Sequence, residues 1–316
     1  MPVYVVDKPL GLTSHDVVAR SRKLLRTKRV GHAGTLDPLA SGVLVILSED
    51  ATKLSPFLTD VDKAYLAWVS FGAATPTLDA EGPITDTAPT DHLDQNKIEA
   101  AFAPFLELRE QRPPQFSAVK KGGVKSYEAA RRGETLDLPP RPAGYRDIRL
   151  LGFAPDRDAL PTRFRLGDEG HWEPHPQGRD VPLPDPLGVF PTALVSLVVR
   201  SGTYIRSFAR DLGAALGTEA HLSGLVRTRS GRTGLERAIA IDDLADAEGL
   251  SKAAAIPFAR LELSPPHIIR IRQGQHPPLD LDPTDKRVAL VDSGGKLVAV
   301  VEPQPDGYKL LRVWAD

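Results

Sequence analysis

The sequence predicts an α+β fold: a mixed, mainly antiparallel sheet with helices packed around it, followed by a small all-β module. Three observations lead there. Strand-like apolar runs occur along the chain without the parallel strand–helix–strand repetition that marks a doubly wound sheet. Beyond Ser264-Pro265-Pro266 the sequence turns into short strands joined by Gly-rich turns. At 316 residues the chain exceeds the usual size of one hydrophobic core, which favours one large domain and one smaller one, divided here at 1–264 and 265–316.

The elements follow in order. Residues 3 to 7 read as a short strand, and Thr13, Ser14 or Asp16 can cap a helix in which Val17, Val18, Ser21, Leu24 and Leu25 recur at helical spacing. Next comes the string Gly31-His32-Ala33-Gly34-Thr35-Leu36-Asp37-Pro38-Leu39-Ala40-Ser41-Gly42. It reads as a loop in which Pro38 disfavours the α region for Asp37, while the three glycines allow sharp turns or close approach to a ligand. Residues 43 to 47 are all apolar and rich in β-branched side chains, the signature of a buried strand. Residues 65 to 71 alternate large side chains and form a strand ended by Gly72; residues 96 to 105 and 127 to 132 form short helices. Residues 193 to 200 are a strand running into Gly202, and residues 204 to 216 a helix stopped by Gly217. Strands at 288–291, 297–301 and 309–313 complete the C-terminal module. Two segments read as insertions. Residues 109 to 140 are basic and proline-bounded, whereas 154 to 190 are rich in Pro, Asp and Gly, with little apolar periodicity, and read as a long surface excursion.

Composition excludes several classes of chemistry. The chain has no cysteine, which removes disulfides, thiolate nucleophiles and thiolate metal sites. His171 and His175 are spaced as helix neighbours, but Pro174 and Pro176 argue against a helix there, and no further ligand stands nearby to complete a metal site. No apolar run approaches the ~20 residues of a membrane span, and residues 1 to 8 lack the regions of a signal peptide, so a cytoplasmic location is expected. The net charge of −1 hides strong segregation. Arg20, Arg22, Lys23, Arg26, Lys28 and Arg29 crowd before the glycine string. A second basic group, including Lys120, Lys121, Arg131 and Arg132, lies in the first insertion, and Arg206, Arg210, Arg227, Arg229 and Arg232 form a third. Acidic residues gather at 155–186 and near the end. Basic groups beside the motifs are expected to form a phosphate-binding surface.

An Asp-Pro pair by itself is ordinary turn chemistry, and a lone strand tyrosine is usually core. The wider string around Asp37, however, closely resembles the catalytic motif of the TruB family, pseudouridine synthases that make pseudouridine 55 in the T-arm of transfer RNA. It departs mildly at Ala33, where the family has Thr or a similar residue. Further blocks resemble the family in its own order: Val6-Asp7-Lys8-Pro9-Leu10-Gly11-Leu12-Thr13-Ser14, Lys63-Ala64-Tyr65, Pro113-Pro114 with Ser117-Ala118-Val119-Lys120, Ser201-Gly202-Thr203-Tyr204-Ile205-Arg206-Ser207, and the stretch from His221 to Gly231.

The resemblance implies a pseudouridine synthase fold in which residues 109–140 are an RNA-gripping thumb and the C-terminal strands are a PUA-like β-barrel. It implies a catalytic set of Asp37 as nucleophile, Arg206 as its guanidinium partner, and Tyr65 stacked on the target base. His32 would fill the place of the flipped-out uridine, with Tyr204 and Leu225 at the pocket wall, while Lys120, Lys121, Arg131 and Arg132 would grip the RNA. Lys8 would either hold the motif loop or touch phosphate. The expected protein is a monomer acting on the T-arm of tRNA and, through its C-terminal module, on the acceptor end. It would need no cofactor, metal or obligatory protein partner, and no guide RNA, since the family's guide-dependent branch lacks the thumb. The alternative is an RNA-binding or tRNA-folding protein without essential catalysis.

Overall fold

Strands buried on both faces need a cover on each side, and this chain supplies two different covers. The computed structural model describes residues 2 to 315, apart from the side chains of Lys120, Lys121 and Lys125. Nine strands form its central sheet: β1 (Val3–Lys8), β2 (Val30–Ala33), β3 (Ala40–Ser48), β4 (Lys63–Phe71), β5 (Tyr145–Ala154), β6 (Thr192–Val199), β7 (Ala220–Ser230), β8 (Thr233–Gly234) and β9 (Ile239–Ala240). Their order is β5-β6-β4-β7-β3-β1-β9, with β2 paired to β3 and β8 to β7. Only the β3–β7 and β1–β9 pairs are parallel. The sheet is therefore mixed and mainly antiparallel, as the sequence predicts.

Period-two alternation divides the strands between two apolar cores. Leu44 and Ile46 of β3, with Tyr65, Ala67 and Val69 of β4, face one core; Val43, Val45, Leu66 and Trp68 face the other. Helices cover the first face. Val17 and Val18 come from α1 (Ser14–Leu24), and Ile205, Phe208, Ala209 and Leu212 from α2 (Ile205–Ala215). A Thr13–Asp16 capping box starts α1, and Gly217 at φ +72° follows the end of α2. The expected helix at 96–105 is two helices, Gln95–Ala100 and Ala103–Glu107. Pro104 has no N–H to offer the carbonyl of Ala100, so one continuous helix cannot form across the junction.

The second face carries a cover that the sequence reading missed. Residues 154–190 contain a three-stranded sheet made by Arg163–Leu166, Trp172–Pro174 and Arg179–Asp180. Leu160, Phe164, Trp172 and Val181 are buried in the second core, with the Phe164 ring edge-on to Trp68 at 5.7 Å. The segment is thus core-bearing and not a surface excursion. Its strands are too short for their alternation to stand out among the prolines and acids.

The C-terminal sheet packs on the same face. It comprises β10 (Ala259–Glu262), β11 (Val288–Val291), β12 (Leu297–Gln304) and β13 (Gly307–Val313) in that order, so its first strand precedes residue 265. Ala289, Val291, Val300 and Trp314 join the second core, while Leu290, Val298 and Val301 pack with Ile271 of α3 (Pro265–Arg272). Among the described residues no pairing closes this sheet into the expected barrel, and α3 packs against its core. Residues 109–140 leave the body through a two-strand neck, Glu110–Gln111 paired with Arg141–Pro142, and carry a hairpin and the helix Ser126–Arg131.

If the 154–190 sheet is part of the core, Phe164→Ala should cost about 3–5 kcal/mol in equilibrium urea unfolding, the range for deleting a buried aromatic ring. A loss below about 1 kcal/mol, the size of a surface substitution, would make the segment an appendage.

Candidate active site

The glycine string is a shorter loop than expected. Residues 31–33 belong to β2 and 40–42 to β3, which leaves 34–39 to span the gap. Gly31 and His32 are strand residues and not turn residues. Gly34 and Gly42 do require glycine conformations, at φ +82° and +95°. At Gly42 a Cβ would lie 2.3 Å from the Arg227 carbonyl oxygen of the neighbouring parallel strand.

Two buried cations clamp this loop. Lys8, at the end of β1, is wholly buried, and its Nζ donates to the carbonyls of Pro9 (2.8 Å), Leu12 (2.6 Å) and Pro38 (3.4 Å). Burial lowers its pKa to about 8, against the opposing pull of Asp37. Of the two roles open to Lys8, this geometry is that of a loop clamp. Arg227, also wholly buried, donates from Nε to Val43 O (2.7 Å), from Nη2 to Gly34 O (2.9 Å) and from Nη1 to Thr35 O (3.2 Å). It was expected among the phosphate-binding arginines, but its hydrogen bonds all go to backbone carbonyls. Ser14 adds a third hold: its Oγ accepts from Leu36 N at 2.9 Å and donates to Leu36 O at 3.1 Å.

Asp37 emerges from the clamped loop with its side chain 36% exposed, and its Oδ2 meets Arg206 Nε at 2.9 Å. Arg206, in the first turn of α2, is also buried, which removes it from any open phosphate surface. Its Nη1 donates to Thr77 O at 3.0 Å and lies 3.5 Å from Asp79 Oδ2; its Nη2 donates to Phe116 O at 2.9 Å. Asp79 is 1% exposed, and burial pushes its carboxyl pKa up while the Arg206 charge pulls it down. Partial burial, together with the charges of Asp79 and Asp37, also raises Glu81. The site therefore gathers three carboxylates around one guanidinium. Nothing in the sequence signals Asp79: it lies in an irregular segment tied to β7 through Ala80 N and Leu222 O.

The other expected residues fall around this pair. Tyr65 and Leu225 are nearly buried and share the first core with Ile205 of α2; Leu225 stands in register with Ala40 of β3 and Ala67 of β4. Tyr204 immediately precedes α2, and burial raises its phenol pKa. His32 lies edge-on to the exposed His15 at 5.7 Å; its Nδ1 is buried without a partner, and burial lowers its pKa. Sequence reasoning missed His15. Arg131 and Arg132 are exposed on the thumb, with Arg132 held by Glu134 through two bonds of 2.9 and 3.1 Å. The side chains of Lys120 and Lys121 lie outside the described residues.

A separate cleft of about 650 Å³ between residues 60–62, Arg200 and the C-terminal sheet contains none of these residues. Two of its cations, Arg146 and Arg287, face Asp62 and Asp60. Among the described residues no helix is long and apolar enough to cross a membrane.

The sequence pattern described as "TruB family pseudouridylate synthase (N terminal domain)" matches residues 22–167, and that of the "tRNA pseudouridylate synthase B C-terminal domain" matches 206–256. The chain is 52% identical over 310 residues to tRNA pseudouridine synthase B of Thermus thermophilus, covering 98% of this chain and 97% of that protein. It is 49% identical to the protein of the same name from Deinococcus deserti over the full length of both. The fold is shared with chains in solved structures of a Cbf5-Nop10-Gar1 complex and of an H/ACA RNP bound to a substrate RNA. The first aligns at TM-score 0.68 and 23% identity over 99% of this chain and 84% of that one, the second at 0.66 and 22% over 100% and 85%. With Asp37 and Arg206 paired on this sheet and relatives matched end to end, the chain belongs to the TruB family of pseudouridylate synthases.

Proposed function

We propose that this protein isomerises uridine 55 to pseudouridine in the T-arm of tRNA, with Asp37 as nucleophile and without a guide RNA. The observation that carries the reading is the Asp37–Arg206 pair, a half-exposed carboxylate held by a buried guanidinium at the tip of a clamped loop. The relatives' names give the substrate class, tRNA.

The reaction breaks the N1–C1′ bond and joins C5 to C1′, with no net oxidation. A carboxylate suffices to carry it. Attack at C1′ expels the uracil, which turns and displaces Asp37 as C5 bonds to C1′; attack at C6 holds the base while N1–C1′ breaks, the base turns and C5 bonds to C1′, after which Asp37 is eliminated from C6. On either course C5 loses its proton and N1 gains one. Arg206 pairs with Asp37 and holds its carboxylate in place. Tyr65, on the core face beside Leu225, would stack on the uracil and serve the final proton transfers. The target base must leave the folded T-loop, which costs a few kcal/mol; His32, with its unpartnered Nδ1, would take the vacated place. The thumb arginines and lysines would hold the T-arm, and the C-terminal module the acceptor end.

Purified protein alone should form pseudouridine in a T-arm stem-loop transcript, and Asp37→Asn should bind that RNA normally while making no product, because the amide keeps the shape and loses the charge. Turnover of the variant within about tenfold of wild type would refute the nucleophile. Arg206→Lys keeps the charge but loses the planar fork. It should slow the bound-state rate far more than it weakens affinity; a normal rate would show that the pairing does not serve catalysis.

A further inference from the structure

We infer that Gln111 is a positioning residue through which the thumb sets the place of Arg206; the inference rests on the reading of Asp37 and Arg206 given above. Gln111 stands in the neck of the thumb, paired with Arg141, and only 4% of it is exposed. Both ends of its amide are used. Oε1 accepts the backbone N–H of Tyr204 at 3.0 Å, and Nε2 donates to the Tyr145 hydroxyl at 2.9 Å. Tyr145 is fixed in turn by ring contacts with Phe105 and Phe208, and burial raises its pKa, so the phenol stays neutral and able to accept.

Tyr204 is the N-cap of α2, and its own backbone N–H, which has no acceptor within the helix, is taken by the thumb's neck. Arg206 follows two residues later. Three more bonds tie the first two turns of α2 to the same stretch of chain. Ser207 Oγ donates to Arg112 O at 3.0 Å, Arg210 Nη2 to Arg112 O at 3.2 Å, and Arg206 Nη2 to Phe116 O at 2.9 Å. Of these anchors only Gln111 reaches both the α2 start and a side chain of β5, Tyr145, so it fixes the neck against the sheet as well as against the helix. The place of the neck therefore helps set the place of the guanidinium that holds Asp37.

The test is the single-turnover rate at saturating stem-loop, measured beside RNA affinity on the full-length protein and below its unfolding midpoint. Gln111→Met keeps the length and removes both polar ends. It should slow the bound-state rate about a hundredfold, the scale of a 1 Å misplacement, with affinity changed less than about threefold. Gln111→Glu still accepts from Tyr204 N–H and from the Tyr145 hydroxyl, and should recover the rate to within about tenfold of wild type. A role in folding alone would lower the unfolding midpoint of Gln111→Met and leave its bound-state rate intact; that result overturns the inference. Should Gln111→Met not fold, Tyr145→Phe decides, since it removes only the hydroxyl: a rate slowed about tenfold at unchanged affinity supports the role, and an unchanged rate overturns it. Asp37→Asn in the same assay separates the two levels. Turnover by that variant would defeat the underlying reading, whereas an inactive Asp37→Asn beside a fully active Gln111→Met would defeat the inference alone.

Discussion

The buried Arg206 guanidinium is the constraint around which the site is built. A cation withdrawn from water must be paired and hydrogen-bonded or it costs several kcal/mol. Its three nitrogens go to Asp37, to Thr77 O beside Asp79, and to Phe116 O. Those partners come from the motif loop, from the segment linked to β7 and from the thumb, so one side chain brings three distant stretches of sequence to a point. Asp37 keeps 36% of its side chain in contact with solvent. The arrangement presents a charged carboxylate to a ligand without asking a flexible loop to hold it.

That loop has no regular structure of its own, and its carbonyls would otherwise compete for water. Lys8 and Arg227 satisfy five of the carbonyls around it, those of Leu12, Pro38, Gly34, Thr35 and Val43, from positions of zero exposure. Side chains from two strands thus grip a short irregular segment. Gly42 completes the fit, because only a residue without a Cβ can lie against the Arg227 backbone there.

Much of this was legible in the sequence, for identifiable reasons. The strand containing Val43 is a continuous apolar run, those containing Tyr65 and Leu194 are largely apolar, and α2 carries a clear helical stripe; all are local signals. Asp37 and Arg206 were legible through the motifs around them. Lys8 and Arg227 were visible as basic residues but not as clamps, since burial is a property of the assembled sheet. Asp79 was invisible because its meaning lies in a guanidinium 127 positions onward, beyond the reach of any local pattern. The 154–190 segment was misread because Phe164 and Trp172 are isolated aromatics among prolines and acids, and only Trp68 on the opposing strand shows what they cover.

The central claim is that Asp79 and Arg206 act as one unit to hold Asp37. A double-mutant cycle on the single-turnover rate, with Arg206→Lys, Asp79→Asn and both together at saturating stem-loop RNA, tests it most directly. Residues in one network should couple, so the double variant should be about as slow as the slower single one. Rates that multiply, each substitution adding its full effect to the other's, would show two independent contributions and contradict the account.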